Sequence, residues 1–200
     1  MNGVVLYGAG GHCKVVIDIL ESLHISIAFL VDDSFTLPNF MGYRVQGDMG
    51  DYDKAIVTIG SCQMRRSIVN RISVKQYITA IHPSAILSPL TYIGSGTVVM
   101  QGAILQASSR IGNHCIVNTG ALIEHDAVVH DFVHLASHST LCGGVVVESG
   151  AWIGAGTTII QGIHIGKNCM IGAGSVVVSD IPDGVVAYGN PCRVIKPYEI

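Results

Sequence analysis

The chain has 200 residues and a mass of 21.1 kDa, which is room for one or two domains of ordinary size. Only 12% of the residues are charged and 49% are hydrophobic, so the composition excludes a disordered chain. A net charge of −3 without clustered Lys and Arg predicts no nucleic-acid surface. No apolar run approaches the ~18 residues of a membrane helix, and no leader signal is evident, so we expect a cytoplasmic protein.

Residues 1–82 alternate apolar strands with helical patterns, which predicts a small parallel sheet of the Rossmann-like α/β type. The predicted strands span 4–7, 27–31 and 55–59. One predicted helix follows the glycine turn at 8–11, and a second spans 63–72. Ligands of such sheets bind at the carboxyl ends of the strands. We therefore expect a binding site at that edge.

The turn Gly8-Ala9-Gly10-Gly11 lies between a strand and a helix, where backbone N–H groups can hold a phosphate. A nucleotide or nucleotide sugar is the predicted ligand. NAD is an alternative, although its motif requires glycine where Cys13 stands, and a plain strand-to-helix turn is another. Asp32 and Asp33 either accept hydrogen bonds from a base or ribose or form a solvated turn. The predicted substrate contacts are Gly8, Gly10, Gly11, His12, Asp32, Asp33, Gly60 and Ser61.

From Ile86 the chain divides into 16 hexads without an insertion, and the second position of every hexad is aliphatic. Glycine clusters at the third and fifth positions. A period of six does not follow the 3.6-residue helical repeat, so it predicts short strands and turns stacked in a β-solenoid. We assign residues 83–181 to this domain and residues 182–200 to a C-terminal capping tail, since the period fails there. The hexads resemble those of the left-handed β-helix acyltransferases, which implies a left-handed, three-sided coil.

The most polar interruption of the solenoid is the hexad 122–127. It places His125 and Asp126 at a coil corner, where the carboxylate could orient the imidazole as a general base. Asn118 and His134 add polar groups within one coil on either side.

A zinc site is an alternative for these histidines, because hexapeptide carbonic anhydrases use three histidines, two of them five residues apart. His125 and His130 have that spacing, but Pro89 occupies the position where the remaining ligand would lie. The six cysteines are dispersed without a CxxC pair and are predicted to be reduced packing residues. We predict no metal.

The whole chain resembles the bacterial sugar acetyltransferases of the bacillosamine and perosamine pathways and the sialic-acid O-acetyltransferases. The resemblance is carried by the motifs Tyr7-Gly8-Ala9-Gly10-Gly11-His12, Val31-Asp32-Asp33, Ile59-Gly60, Asn118-Thr119-Gly120, Ile123-Glu124-His125-Asp126, Phe132-Val133-His134 and Gly189-Asn190-Pro191-Cys192-Arg193. It implies a homotrimer, acetyl-CoA held along the solenoid between subunits, and a nucleotide-linked amino sugar on the N-terminal domain.

The resemblance also implies roles for individual residues. His125 would be the general base and Asp126 would orient it, although some members have the longer Glu there. Asn118, Glu124 and His134 would position the substrate or acetyl group, and a backbone N–H near Gly143 would stabilise the oxyanion. Arg193 would contact coenzyme A, or else belong to a simple cap. The predicted cofactor contacts are His134, Gly143, Gly144, Ala155, Ala173 and Arg193.

The predicted activity is acetyl transfer from acetyl-CoA to the amine of a nucleotide-activated 4-amino-4,6-dideoxy sugar, for surface-polysaccharide or glycan synthesis. The alternatives are O-acetylation of a sialic-acid-type sugar, a non-catalytic solenoid that binds a nucleotide sugar, and an NAD oxidoreductase. The unbroken hexads leave no room for an inserted loop that would grip the acceptor. We therefore expect the acceptor to lie between the N-terminal domain and a neighbouring subunit, and a monomer to be inactive.

Overall fold

The structure is a computed structural model that describes residues 3–34 and 38–199. Positions 1, 2, 35–37 and 200, which fall in the predicted N-terminal domain and tail, lie outside the described residues. The N-terminal elements are β1 (Val4–Tyr7), α1 (Gly11–Ser22), β2 (Ile27–Val31), β3 (Asn39–Phe40), β4 (Tyr43–Gln46), β5 (Asp51–Val57), α2 (Cys62–Arg71) and β6 (Ser73–Tyr77). The strand order is β3-β4-β2-β1-β5-β6, and the pairs are parallel except β3 with β4.

Strand β1 is the centre of this domain, and all four of its residues are buried. Because side chains alternate across a strand, Val4 and Leu6 pack with α1, while Val5 and Tyr7 pack on the face that α2 covers. Two helices on opposite faces of a mainly parallel sheet confirm the predicted α/β class. The sequence did not reveal β3, β4 and β6, which carry too many polar residues to stand out.

The solenoid is built from 17 two-residue strands. They are β7 (Ala80–Ile81), β8 (Ile86–Leu87), β9 (Tyr92–Ile93), β10 (Val98–Val99), β11 (Ile104–Leu105), β12 (Arg110–Ile111), β13 (Ile116–Val117), β14 (Leu122–Ile123), β15 (Val128–Val129), β16 (His134–Leu135), β17 (Thr140–Leu141), β18 (Val146–Val147), β19 (Trp152–Ile153), β20 (Thr158–Ile159), β21 (His164–Ile165), β22 (Met170–Ile171) and β23 (Val176–Val177). Each strand from β7 to β20 pairs in parallel with the strand three positions later, as Val98 does with Ile116. One coil is therefore three hexads, and the predicted solenoid is confirmed.

Three sheets form the three faces of the solenoid. The first face contains β7, β10, β13, β16, β19 and β22, the second begins with β8 and the third with β9. We number each corner by the face that precedes it along the chain. The aliphatic second positions fill the interior, and the fifth positions turn the corners with a positive φ, for example 68° at Gly144 and 59° at Asp126. Glycine adopts this conformation without strain, which explains its frequency there.

The solenoid begins at Ala80, which pairs with Val98, so its first strand precedes the predicted series from Ile86 by one hexad. At the other end, β24 (Val185–Gly189) pairs with β22 and extends the first face. The strand β25 (Cys192–Pro197) then returns antiparallel to β24. Neither described helix has the length and hydropathy to cross a bilayer.

Candidate active site

His125 and Asp126 lie on the second corner of the solenoid, and their side chains are 65% and 67% exposed. The His125 Nδ1 lies 2.8 Å from the Asp126 Oδ2. Asp126 has a positive φ, and its side chain lies beside that of His125. Asp tolerates this backbone conformation better than most residues. Because the carboxylate accepts the Nδ1 proton, the neutral ring keeps its acceptor lone pair on Nε2, which makes no hydrogen bond among the described residues.

Gly143 occupies the same corner one coil later, against the His125 ring. A Cβ at position 143 would lie 2.7 Å from both Cε1 and Nε2 of His125, closer than any side chain tolerates. The amide N–H of Gly143 donates to no backbone carbonyl among the described residues, whereas the next amide, of Gly144, donates to the His125 carbonyl at 3.0 Å. The corner therefore presents a basic nitrogen beside a backbone donor.

His134 lies on the first face, where the N-terminal domain packs, and is only 7% exposed. Its Nδ1 is 3.1 Å from the carbonyl oxygen of Gly60, and its Nε2 is 3.4 Å from Nδ2 of Asn118. The Asn118 Oδ1 accepts the N–H of Thr119, so Nδ2 of Asn118 is the donor to His134 and Nδ1 of His134 donates to Gly60.

Burial, and to a smaller extent the nearby Arg65 charge, lower the pKa of His134 to about 4, against the hydrogen bond to the Gly60 carbonyl, which raises it. Both ring nitrogens are engaged. A hydrogen bond from His134 to coenzyme A would therefore have to replace the one to Asn118. This contact stays a prediction.

The glycine turn of the N-terminal domain, which is predicted to bind a phosphate, leaves its backbone open. Gly8 has a φ of 112°, and a Cβ there would collide with Ile59, while Gly10 and Gly11 face open space. Helix α1 begins at Gly11 with no acidic residue in its first turn, so its N-terminal N–H groups remain attractive to a phosphate.

His12 follows in the first turn of α1. Its Nε2 is buried without a hydrogen-bond partner among the described residues. Burial, with smaller contributions from His134 and Arg65, lowers the pKa of His12 to about 3, so the ring is neutral. An orphaned, buried nitrogen beside an anion site is what a ligand contact requires, and a neutral imidazole can serve as the donor.

Asp32 and Asp33 are both engaged within the domain. Asp32 accepts the N–H of Ala9 at 2.9 Å and so fixes the glycine turn. Asp33 accepts the hydroxyl proton of Tyr7 and pairs with Arg71 at 2.8 Å. Sequence reasoning missed Arg71, since an arginine at the end of a helix carries no distinguishing pattern.

Arg65 joins the two domains and was also missed. It is 1% exposed, and burial lowers the pKa of its guanidinium below its usual value. It donates to the carbonyl oxygens of Ile59, Gly60, His114 and Phe132 at 2.7–2.9 Å. The clamp fixes the Gly60 carbonyl that His134 contacts. Its signal was present, because Arg65 falls on the apolar stripe of α2 with Ile68.

The predicted site residues form two groups rather than one. His134 on the first face and its partner Asn118 on the first corner lie by the N-terminal domain, where His134 contacts Gly60, the residue before the cap of α2, Ser61. His125 lies with Glu124, Asp126, Gly143 and Gly144 on the second corner, which joins the other two faces. In a three-sided coil this corner is opposite the first face. The remaining cofactor candidates lie on the first corner (Ala155, Ala173) and on β25 (Arg193).

Among residues 3–34 and 38–199, no group of three His, Cys, Asp or Glu side chains is arranged to hold a metal ion. His130 instead lies 3.9 Å from Glu148, which also contacts His164. The six cysteines are free thiols.

Comparisons with known proteins match both halves of the chain. The profile of the PglD N-terminal domain matches residues 3–72, and that of the bacterial transferase hexapeptide (six repeats) matches residues 144–179. Perosamine N-acetyltransferase from Caulobacter crescentus, as a variant with one histidine replaced by asparagine and in complex with CoA and GDP-perosamine, is 36% identical. It superposes with a TM-score of 0.91 over 98% of this chain and 97% of that one.

This chain belongs to the hexapeptide-repeat sugar N-acetyltransferases. The acetyltransferase domain of PglB from Neisseria gonorrhoeae is 32% identical, with a TM-score of 0.88 over 98% of this chain and 100% of that one. The UDP-N-acetylbacillosamine N-acetyltransferase of Bacillus subtilis (strain 168) is 39% identical over 113 residues, which cover 50% of this chain and 52% of that protein. The chain spans about half or less of the length of the curated relatives it matches. Membership of the sugar N-acetyltransferases confirms the predicted family.

Proposed function

We propose that this protein transfers the acetyl group of acetyl-CoA to the amine of a nucleotide-activated 4-amino-4,6-dideoxy sugar. The observation that carries the proposal is the exposed His125–Asp126 pair, in which Nδ1 is held by the carboxylate and Nε2 is open. The relatives that were solved with CoA and GDP-perosamine or with acetyl coenzyme A support the same donor and acceptor classes.

His125 acts as the general base in the proposed reaction. The sugar amine attacks the thioester carbonyl carbon, and Nε2 takes the proton from the attacking nitrogen. The N–H of Gly143, which donates to no backbone carbonyl among the described residues, stabilises the oxyanion that develops on the carbonyl oxygen. When the tetrahedral intermediate collapses, the C–S bond breaks and the CoA sulfur leaves with the proton that His125 held. An amide and free CoA thiol result.

The nucleotide sugar binds at the carboxyl edge of the N-terminal sheet. Its diphosphate lies at the N-terminus of α1, where Gly10 and Gly11 leave the backbone open and His12 offers an unpaired nitrogen. Asp32 and Asp33 lie at the end of the neighbouring strand and would meet the nucleoside.

The active site is shared between subunits of a homotrimer. Within one chain His125 lies on the corner opposite the face that carries the N-terminal domain. The second face presents an outward row of aliphatic and β-branched side chains, and none of them belongs to the described hydrophobic cores of the N-terminal domain. The row is formed by Ile86, Ile104, Leu122, Thr140, Thr158 and Val176. Such a row favours contact with another solenoid. An acceptor held by one subunit then meets the His125 of its neighbour.

Thiol release from acetyl-CoA tests the activity. The wild-type protein and His125→Ala are assayed with UDP-, dTDP- and GDP-linked 4-amino-4,6-dideoxy sugars and with free sialic acid. We expect release with one nucleotide sugar and a loss of about 100- to 10,000-fold in His125→Ala, with acetyl-CoA binding retained. His138→Ala, another exposed corner histidine, is the control. Release with sialic acid alone, or none at all from a folded protein that binds acetyl-CoA, would contradict the proposal.

A further inference from the structure

Arg65 carries a buried positive charge that no acidic side chain balances. None of the ion pairs between described side chains includes it. The nearby groups that could ionise to an anion are the thiols of Cys62 and Cys115, and burial raises the pKa of both, so they stay protonated at neutral pH. A buried charge is ordinarily paired, because its transfer out of water is costly. The described residues supply no counterion to this guanidinium.

Hydrogen bonds satisfy the donors of the guanidinium without cancelling its charge. Its Nη1 donates to the carbonyl oxygens of Ile59 and Gly60 at 2.8 and 2.9 Å, and its Nε donates to that of His114 at 2.7 Å. These oxygens are uncharged, so the net charge of the group is unchanged. Arginine does not lose its proton in proteins, so a full charge persists even though burial lowers the pKa of Arg65.

The loop that Arg65 holds touches the glycine turn of β1, since β1 and β5 are neighbouring strands. A Cβ on Gly8 would lie 2.4 Å from Cδ1 of Ile59, which shows how closely the two residues approach. The Thr58 hydroxyl donates to the Gly8 carbonyl oxygen at 2.7 Å. Arg65 and the glycine turn therefore contact the same residue, Ile59.

The Arg65 charge acts on the residues around this turn. His12 lies in the first turn of α1, and His134 contacts Gly60. Burial is the largest cause of the lowered pKa of each ring, and the Arg65 charge lowers both further. A potential that disfavours a proton on these rings favours a phosphate anion in the same place.

We infer that Arg65 is the counterion of the nucleotide diphosphate, which its buried charge attracts to the N-terminus of α1 without direct contact. This rests on the proposed function, which places the diphosphate there. The main-chain carbonyls occupy the donors of Arg65, and its 1% exposure leaves no surface for a ligand. A charge below the surface acts through a medium of low dielectric constant and is screened little by salt. Arg65 is thus a positioning residue for the substrate.

The test measures how affinity depends on the phosphate charge of the ligand. Isothermal calorimetry is run with the nucleoside, the monophosphate and the diphosphate of guanine, uracil and thymine, on the wild type and on Arg65→Met. For the recognised base, we expect Arg65→Met to raise the Kd about tenfold for the diphosphate, about threefold for the monophosphate and less than about twofold for the nucleoside. A merely structural role would weaken all three ligands by one factor, because the loop at Gly60 would move.

Two further variants separate charge from shape. Arg65→Lys keeps a positive charge, but its three donors cannot reproduce the four-carbonyl contact, so diphosphate affinity should stay within about threefold of the wild type. Arg66→Met is the matched control. Arg66 is the next residue of α2 and is partly exposed over the Phe132 ring, so solvent screens its charge and the Kd should change less than about twofold.

Position 62 keeps the inference testable if Arg65→Met does not fold. Cys62 is buried beside Arg65 at the first residue of α2. Cys62→Asp therefore supplies a counterion from within the protein, and Cys62→Asn is a neutral control of the same shape. We expect Cys62→Asp to bind the diphosphate about tenfold more weakly than Cys62→Asn, while the two bind the nucleoside equally.

Three outcomes would overturn the inference: equal weakening of nucleoside and diphosphate in Arg65→Met, a loss in Arg65→Lys as large as that in Arg65→Met, or equal diphosphate affinity of the two position-62 variants. Failure of the proposed function has a different signature. A wild type that binds a nucleotide but releases no thiol with any conjugate contradicts the function alone, and the series of ligand charges still decides the role of Arg65. A wild type that binds none of the nucleotides contradicts both.

Discussion

His125 and His134 are nine residues apart in the chain and lie in opposite environments. His125 projects from a corner, pairs with its own neighbour Asp126 and keeps one ring nitrogen open. His134 is buried at the domain junction with both nitrogens hydrogen-bonded. Since a general base needs an accessible lone pair, the comparison separates a residue suited to proton transfer from one suited to holding the junction together.

The same comparison separates two regions of the molecule. The first face carries the N-terminal domain, whereas the second corner carries the proposed base. If the active site is shared between subunits, the N-terminal domain of one chain acts together with the second corner of a neighbouring chain and not with its own second corner. The following predictions test this division, from the largest expected effect to the smallest.

Mixing two inactive variants should restore activity. His125→Ala removes the proposed base, and Gly10→Glu places a carboxylate in the anion site at a position where a Cβ meets no other atom within 4 Å. Each variant alone should be inactive, because the Gly10→Glu carboxylate repels the phosphates of the substrate and His125→Ala lacks the proposed base at every site. Trimers refolded from an equal mixture should regain about a quarter of the wild-type rate per site, since one pairing in four is intact. No recovery in verified mixed trimers would place the whole site within one chain.

Gly143→Ala should lower kcat about 100-fold, because the new Cβ displaces the His125 ring from its place. The measurement is kcat by thiol release, with Gly143→Ala/His125→Ala as the control. If the methyl group acts only through the ring, the double variant is no slower than His125→Ala alone. An additional loss in the double variant would show a separate role for position 143.

Stability should fall as the pH is lowered from 7 to 5. The pKa of His134 is about 4 in the fold and 6.5 in the unfolded chain, so in this window the unfolded chain binds a proton that the fold does not. The free energy of unfolding of His134→Gln should fall by about 1–2 kcal/mol less than that of the wild type over this range, measured from urea midpoints. His138→Gln, whose side chain is exposed, should follow the wild-type slope, and an equal slope in all three proteins would contradict the assignment.

Most of the fold was predictable because it repeats. An aliphatic residue every six positions is a one-dimensional pattern, β1 is a fully apolar strand, and α1 is a 12-residue amphipathic helix. Strands β3, β4 and β6 were missed, since polar strands at the edge of a sheet lack a burial pattern. The predicted solenoid domain starts at residue 83, whereas the first solenoid strand starts at Ala80. Ala80 belongs to the repeat through its pairing with Val98, which the sequence alone does not display.

The site was predictable residue by residue but not as a spatial arrangement. His125 and Asp126 are adjacent in the chain, so their pairing could be expected. The contact of His134 with Gly60 joins residues 74 positions apart, and no local pattern encodes it.

The Arg65 clamp has a consequence for how the protein can vary. The five hydrogen bonds from the Arg65 guanidinium to Ile59, Gly60, His114, Phe132 and Val133 end on main-chain carbonyl oxygens, so these contacts do not depend on which side chains those partners carry. Substitutions at positions such as 59, 114 or 132 can reshape the surfaces around the junction while the connection itself persists. A single arginine therefore ties the two domains together through contacts that substitutions of the partner side chains leave in place.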